Sequence, residues 1–174
     1  AGWGEAWARQ WPVAGAIMEN GGLHFAWRGE HLVKSYAQGE KERATTRRAL
    51  ERHVAAAIKH VKGARLSGDS PYTEVDLAID YAEDVQLGGE AADRLEAFLA
   101  KRGVTAVRSS VHVNCWLGAF DKNSAVRRFV KLEWKQAVRP DERRFVYVGD
   151  SPNDAPMFAA FPLSVGVANV KDVL

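Results

Sequence analysis

The segment Val146-Tyr147-Val148-Gly149-Asp150-Ser151-Pro152-Asn153-Asp154 constrains the fold more than any other stretch of the chain. An apolar run that stops at Gly-Asp reads as a buried strand with a carboxylate at its carboxyl end. In a parallel sheet that edge is where open α/β folds bind ligands. Asp150, Asn153 and Asp154 crowd it, and hard carboxylate oxygens suit Mg²⁺, which commonly bridges protein to phosphate. The same residues are also good turn and helix-cap chemistry. Asp121-Lys122-Asn123-Ser124 lies shortly upstream and brings a cation. Together the two motifs suggest phosphoryl chemistry.

The 174 residues suffice for one ordinary domain, or for one small domain inserted in another. At 47% hydrophobic and 26% charged, the chain has the composition of a globular protein with a core. Its net charge of +2 is spread along the sequence. The densest basic pairs, Arg47-Arg48 and Arg143-Arg144, are not interleaved with aromatics, so a nucleic-acid partner is not expected. Cys115 is single and cannot form an internal disulfide. No apolar stretch is long enough for a bilayer and no signal pattern opens the chain, so a cytoplasmic protein is expected. The chain opens without Met on a helix-like segment and stops at Leu174 as a helix begins after Asn169. It therefore reads as part of a longer protein.

Trp3, Trp7 and Trp11 recur at helical spacing and are expected to pack into a core. Val13–Met18 reads as a short buried strand, ended by Glu19-Asn20-Gly21-Gly22, residues that tolerate left-handed backbone. Leu23–Phe25 and His31–Tyr36 flank a hairpin turn. Glu40–Val61 is an amphipathic helix whose inner face carries Leu50, Val54, Ala57, Ile58 and Val61. His53 and His60 on it are solvated or packed side chains rather than metal ligands. Val75 to Ala82 alternates apolar residues with Asp76 and Asp80, the pattern of a half-buried strand. Its acidic face is either solvated or available to a cation or a sugar. Glu90–Arg102 is a helix, and Val104–Arg108 and Ser110–Leu117 are strands. Ser110, His112, Asn114 and Trp116 share one face of the last strand, either a sugar-contacting surface or an exposed one. Lys122–Gln136 is a helix, Arg144–Val148 a buried strand, Pro152–Ala159 a short helix and Leu163–Val167 another buried strand. Residues 1–20 and 118–174 therefore read as a parallel α/β core, and residues 21–117 as an inserted α+β block.

This order of motifs resembles the haloacid dehalogenase superfamily, in particular the type IIB subfamily that includes sucrose-phosphate phosphatase and mannosyl-3-phosphoglycerate phosphatase. The resemblance rests on strand-Glu-Asn-Gly-Gly, an α+β insert, Asp-Lys-Asn-Ser at a helix start, and Val-Gly-Asp-Ser-Pro-Asn-Asp. It implies an α/β fold, with a partial Rossmann-like parallel-sheet core and the insert as a cap domain. Asp150 is then similar to the Mg²⁺ ligand, and Asp154 to the acid that supports the metal or fixes the lysine. Lys122 resembles the lysine that neutralises the phosphoryl group, and Asn153 the residue that orients phosphate or water. The implied function is a Mg²⁺-dependent phosphatase acting on a small sugar phosphate through an aspartyl-phosphate intermediate. His112, Asn114 and Asp80 are the expected substrate contacts. The family's paired Asp-x-Asp motif occurs nowhere in the sequence. The nucleophile is therefore expected upstream of Ala1, and a non-catalytic sugar-phosphate binding module or a phosphomutase are the alternatives. Oligomeric state is left open.

Overall fold

Glu19, Asn20 and Gly21 take φ of 53°, 52° and 98°, and this left-handed run reverses the chain onto itself. In this computed structural model, which describes residues 2–139, 143–151 and 154–168, strand β1 (Gly15–Met18) enters the turn and β2 (Leu23–Arg28) leaves it. The two pair antiparallel with Met18 opposite Leu23. The second turn, Gly29-Glu30, returns the chain as β3 (His31–Tyr36), giving the sheet order β1-β2-β3. Among the described residues β1 pairs with β2 alone, and antiparallel. The physical reason is the turn itself, which sends the next segment back along β1.

The chain divides into two compact units. One is continuous, Gln38–Ala119, and the other combines Trp3–Ala37 with the chain from Phe120 onward. The sequence boundary drawn at residue 21 differs from this one because β2 and β3 are hydrogen-bonded to β1 and group with it.

The continuous unit is an α+β sandwich. Its sheet, in the order β4 (Arg65–Leu66), β5 (Leu77–Asp80), β7 (His112–Trp116), β6 (Thr105–Arg108), is antiparallel throughout. Helices α2 (Glu40–His60) and α3 (Gly89–Ala100) cover one face. Leu50, Val54 and Ala57 of α2 and Leu95 and Leu99 of α3 meet Leu77, Ile79, Val113 and Cys115 in its core. Burial pushes the Cys115 thiol up, which leaves it an inert packing group. The acids of the alternating strand do not face solvent: Asp76 and Asp80 are both buried.

In the discontinuous unit, α4 (Lys122–Glu133) packs on β1 and β2, and Gly15 leaves room for the Phe129 ring, 2.6 Å from where a Cβ would stand. β8 (Tyr147–Gly149) and β9 (Ser164–Gly166) pair in parallel, joined through α5 (Ala155–Ala160). Val130, Val138, Met157 and Phe161 form one buried cluster here, with Phe145 and Tyr147 against it. The strands β8 and β9 were expected to be buried, yet Val148 and Val165 are 58% and 52% exposed. Tyr147 turns towards Phe158 and Phe161 of the α5 segment, while Val146 and Val148 alternate onto a face left open among the described residues.

Helix α1 (Gly2–Gln10) corrects another expectation. Trp3, Trp7 and Trp11 are exposed; Trp7 stacks on Trp11 with centroids 6.0 Å apart, and Trp3 leans against Trp7 at 6.5 Å. The buried side of α1 uses the small residues Gly4 and Ala8, and Trp27 donates its indole N–H to the Ala8 carbonyl at 2.9 Å. Small residues allow that close approach, so the indoles are displaced to another side. No helix among the described residues is long and apolar enough to cross a membrane.

Candidate functional site: the Lys122–Asp154 pair

Two helix starts and one strand end converge in the discontinuous unit. Asp121 caps α4: its Oδ1 accepts the Ser124 N–H at 2.6 Å, while Ser124 Oγ accepts the Asp121 N–H at 2.9 Å. This reciprocal cap fixes the first turn of α4, on which Lys122 stands. Gly21 lies directly against that turn. A Cβ there would collide with the Asp121 carbonyl and come within 2.8 Å of Ala125. Arg128 of α4 donates to the Gly21 carbonyl at 2.6 Å and locks the two together. Two consecutive non-glycine residues in left-handed backbone, Glu19 and Asn20, cost energy that the surrounding contacts must offset.

On the other side, β8 stops at Gly149 and the chain folds back so that Asp154 faces its own preceding loop. Asp154 is 3% exposed. Its Oδ2 accepts the Asp150 and Ser151 N–H groups at 3.0 and 3.3 Å and lies 3.3 Å from the Ser151 hydroxyl. Its Oδ1 accepts from the Lys122 ammonium. Only glycine fits at 149, since a Cβ there would stand 2.8 Å from Asp154 Oδ2 and 2.9 Å from the Phe158 and Tyr147 rings. Lys122 and Tyr147 line a cavity of about 180 Å³ together with Ile17, Asn20, Gly21 and Met157.

Burial alone would raise the Asp154 pKa. The hydrogen bonds from Lys122, Tyr147 and the Asp150 N–H outweigh it and hold the carboxyl at about 2. Burial and the Asp154 carboxylate push Tyr147 up, so its hydroxyl remains a donor. Asp154 is therefore a fixed anion with both oxygens engaged, suited to orienting Lys122 rather than to binding a metal directly. Asp150 is exposed at the end of β8, within 3.2 Å of the Ser151 hydroxyl, and its carboxylate fits a hard cation better. Asn153 lies outside the described residues.

The three expected substrate contacts come together on one face of the continuous unit's sheet, where Asp80 is paired with His112 and Ala78 with Asn114. Asp80 is 1% exposed and fully used: it accepts the Glu83 and Asp84 N–H groups at 2.8 and 3.1 Å and Arg65 Nε at 3.2 Å. Burial acts against these donors, but together they lower its pKa. His112 Nε2 lies 2.8 Å from Glu83 Oε2. Asp80, Glu83 and Asp84 bring their oxygens close enough for a cation, but Arg65 already bridges Asp80 and Asp84. The Asn114 side chain has no protein hydrogen-bond partner among the described residues.

Sequence reasoning did not single out Tyr147 and Ser151, although both stand inside the motif it quoted. It also missed a partly buried array at the carboxyl end of α4. His24 Nε2 lies 3.1 Å from Glu133 Oε1, and Arg28 donates to both Glu133 oxygens at 2.7 and 3.0 Å. Arg28 chiefly holds the Glu133 carboxyl at about 2, against burial and with help from His24, while burial lowers His24. The residues are more than a hundred positions apart, so no local pattern could have linked them.

No family model and no curated protein matches this chain. Solved structures do. The Thermoplasma acidophilum protein 0175 superposes with a TM-score of 0.65 at 20% identity, over 95% of this chain and 64% of its own. The C-terminal domain of Candida albicans trehalose-6-phosphate phosphatase gives 0.59 at 16%, over 91% and 55%. A trehalose-6-phosphate phosphatase related protein gives 0.51 at 17%, over 93% and 64%. The chain thus spans 64%, 55% and 64% of these three chains. At such identities the likeness is one of fold. It matches the mixed α/β arrangement of parallel and antiparallel strands described above.

Proposed function

We propose that this chain is the larger part of a Mg²⁺-dependent phosphatase of haloacid dehalogenase type acting on a sugar phosphate. The observation that carries the proposal is the Lys122–Asp154 pair, set beside a parallel strand that ends in an exposed aspartate, Asp150. The fold likeness to a trehalose-6-phosphate phosphatase domain supports a sugar phosphate as the substrate class. In this reading the discontinuous unit is the catalytic core. Gln38–Ala119 is the cap that supplies sugar specificity through Asn114 and His112.

Phosphoryl transfer spreads negative charge over the non-bridging oxygens, and catalysis consists mainly of neutralising that charge and holding the reactants in line. Lys122, placed at the amino end of α4, offers an ammonium to those oxygens, and the capped first turn fixes its backbone. Asp154 acts through Lys122: as a permanent anion with both oxygens committed, it keeps the ammonium aimed. Asp150 would hold Mg²⁺, which supplies further charge neutralisation when bound. Asn153 orients phosphate or water. The acceptor carboxylate of the covalent route is assigned to residues upstream of Ala1.

Phosphate release should be measured on protein that carries the upstream segment as well as these residues, using a sugar-phosphate panel that includes trehalose 6-phosphate, with Mg²⁺ and with EDTA. The expected result is Mg²⁺-dependent release that falls by roughly 10²-fold or more in Lys122→Ala. Mg²⁺-dependent binding of the same compounds without release would instead identify a binding module, the alternative that holds if no Asp-x-Asp motif lies upstream of these residues. Release unaffected by EDTA and by Lys122→Ala would overturn the proposal.

A further inference from the structure

A cavity of about 330 Å³ opens in the continuous unit beside α2, with Leu66, Leu77 and the Ser70-Pro71 turn forming its other walls. The turn is tightly built. The Ser67 hydroxyl donates to Asp69 Oδ1 at 2.6 Å, and the Thr73 hydroxyl lies 3.0 and 2.8 Å from the Ser70 and Asp76 carbonyls. Ser70 itself is fixed through its backbone. Its N–H donates to the Ser67 carbonyl at 3.1 Å and its carbonyl accepts the Thr73 N–H at 3.2 Å. Yet the Ser70 side chain, in a residue only 1% exposed, has no hydrogen-bond partner among the described residues. A buried hydroxyl held rigidly at a cavity wall with nothing to bond is a disfavoured arrangement that a ligand oxygen would relieve.

Arg47, on the same wall, points to the same chemistry. Its Nε donates to Glu51 Oε1 at 3.0 Å, and its Nη1 donates to Thr73 Oγ1 at 3.1 Å and the Asp76 carbonyl at 2.7 Å. Among the described residues its Nη2 donors have no protein partner. The guanidinium is therefore immobilised with one edge unused. Glu51 also lines the cavity and balances the Arg47 charge. An anion would meet Glu51 and a cation would meet Arg47, so the charge balance favours an uncharged head group. The remaining walls, among them Val54, Ile58, Leu66 and Leu77, are apolar. The volume lies at the small end of the range for ligand cavities.

We propose that this cavity is a binding site for a small uncharged molecule with an apolar body and one hydroxyl or carbonyl oxygen, held by Ser70 Oγ and Arg47 Nη2. It lies wholly within Gln38–Ala119 and does not rest on the phosphatase reading, because its test involves no phosphate chemistry. Benzyl alcohol and toluene serve as probes of the same shape that differ in the oxygen. In titrations followed by amide NMR, benzyl alcohol is expected to shift the Leu66, Ser70 and Thr73 resonances saturably and to bind roughly tenfold more tightly than toluene. Ser70→Ala should abolish most of that preference. Ala55→Phe, at an exposed helix position on the cavity rim, should block both probes while leaving the fold intact. The proposal is overturned by an absence of saturable shifts at these amides, or by a benzyl alcohol preference that survives Ser70→Ala.

Discussion

Asp154 concentrates the chemistry of the discontinuous unit at one residue. Its carboxyl is held at about 2 in the folded chain, against 3.8 for the free group. The folded state therefore binds the proton less readily than the unfolded chain. This contributes about 2 kcal/mol of stability, fully present above pH 4 and lost as the pH falls towards 2. Urea denaturation at pH 7 and at pH 2.5 should show this loss in the wild type, and Asp154→Asn should show it diminished. An acid limb of unchanged depth in Asp154→Asn would mean that the ion pair with Lys122 does not form. Gly149→Ala tests the same packing from the other side. Its Cβ would stand 2.8 Å from Asp154 Oδ2, so a destabilisation of roughly 1–3 kcal/mol is expected in the same denaturation measurement.

At the level of elements, α4 is the part on which the site depends. Its amino end carries Lys122 within a reciprocal cap, and its carboxyl end carries Glu133, tied to Arg28 and His24 of β2. The helix is therefore pinned at both ends, which fixes the position of the ammonium. Asp121→Ala removes the carboxylate that accepts the Ser124 N–H and should cost about 1 kcal/mol. Because the cap acts on the first turn, amide hydrogen exchange should accelerate at Ser124 and Ala125 and stay unchanged at Val130. Uniform acceleration along the helix would show that the cap contributes only to global stability. The end of α4 also differs from the sequence expectation of Gln136. Lys135 takes φ of 55° and closes the helix after Glu133, a backbone choice that no side-chain periodicity encodes.

At the scale of the molecule, each compact unit packs hydrophobic clusters of its own among the described residues. Leu95 is fully buried at the centre of the Gln38–Ala119 cluster, against α2 and β7. Leu95→Ala should cost roughly 2–5 kcal/mol there through lost burial and a residual cavity. Hydrogen exchange should quicken across Gln38–Ala119 and hold steady at the Val130 and Phe129 amides of the other unit. Equal acceleration in both would mean that the chain unfolds as one cooperative block.

The helices α2, α3 and α4 and the strands β2, β3 and β5 to β7 were legible because each carries its own periodicity, and periodicity is a property of neighbouring residues. The pairing of Lys122 with the Val146–Asp154 motif came from the family resemblance and from the complementary charges of the two segments. Other features depended on which segments meet in space. The turn at Glu19–Gly22 made β1 antiparallel, and the Gly4 and Ala8 contact left the tryptophans exposed. Donors from two separate segments, Arg65 and the Glu83-Asp84 backbone, turned Asp80 from a surface acid into a buried, saturated one. The sequence alone determined the local elements and the chemical groups available. Only the tertiary structure decided which of those groups already have partners and which, like Ser70 Oγ, do not, because hydrogen bonds and burial belong to pairs of residues that the chain brings together from a distance.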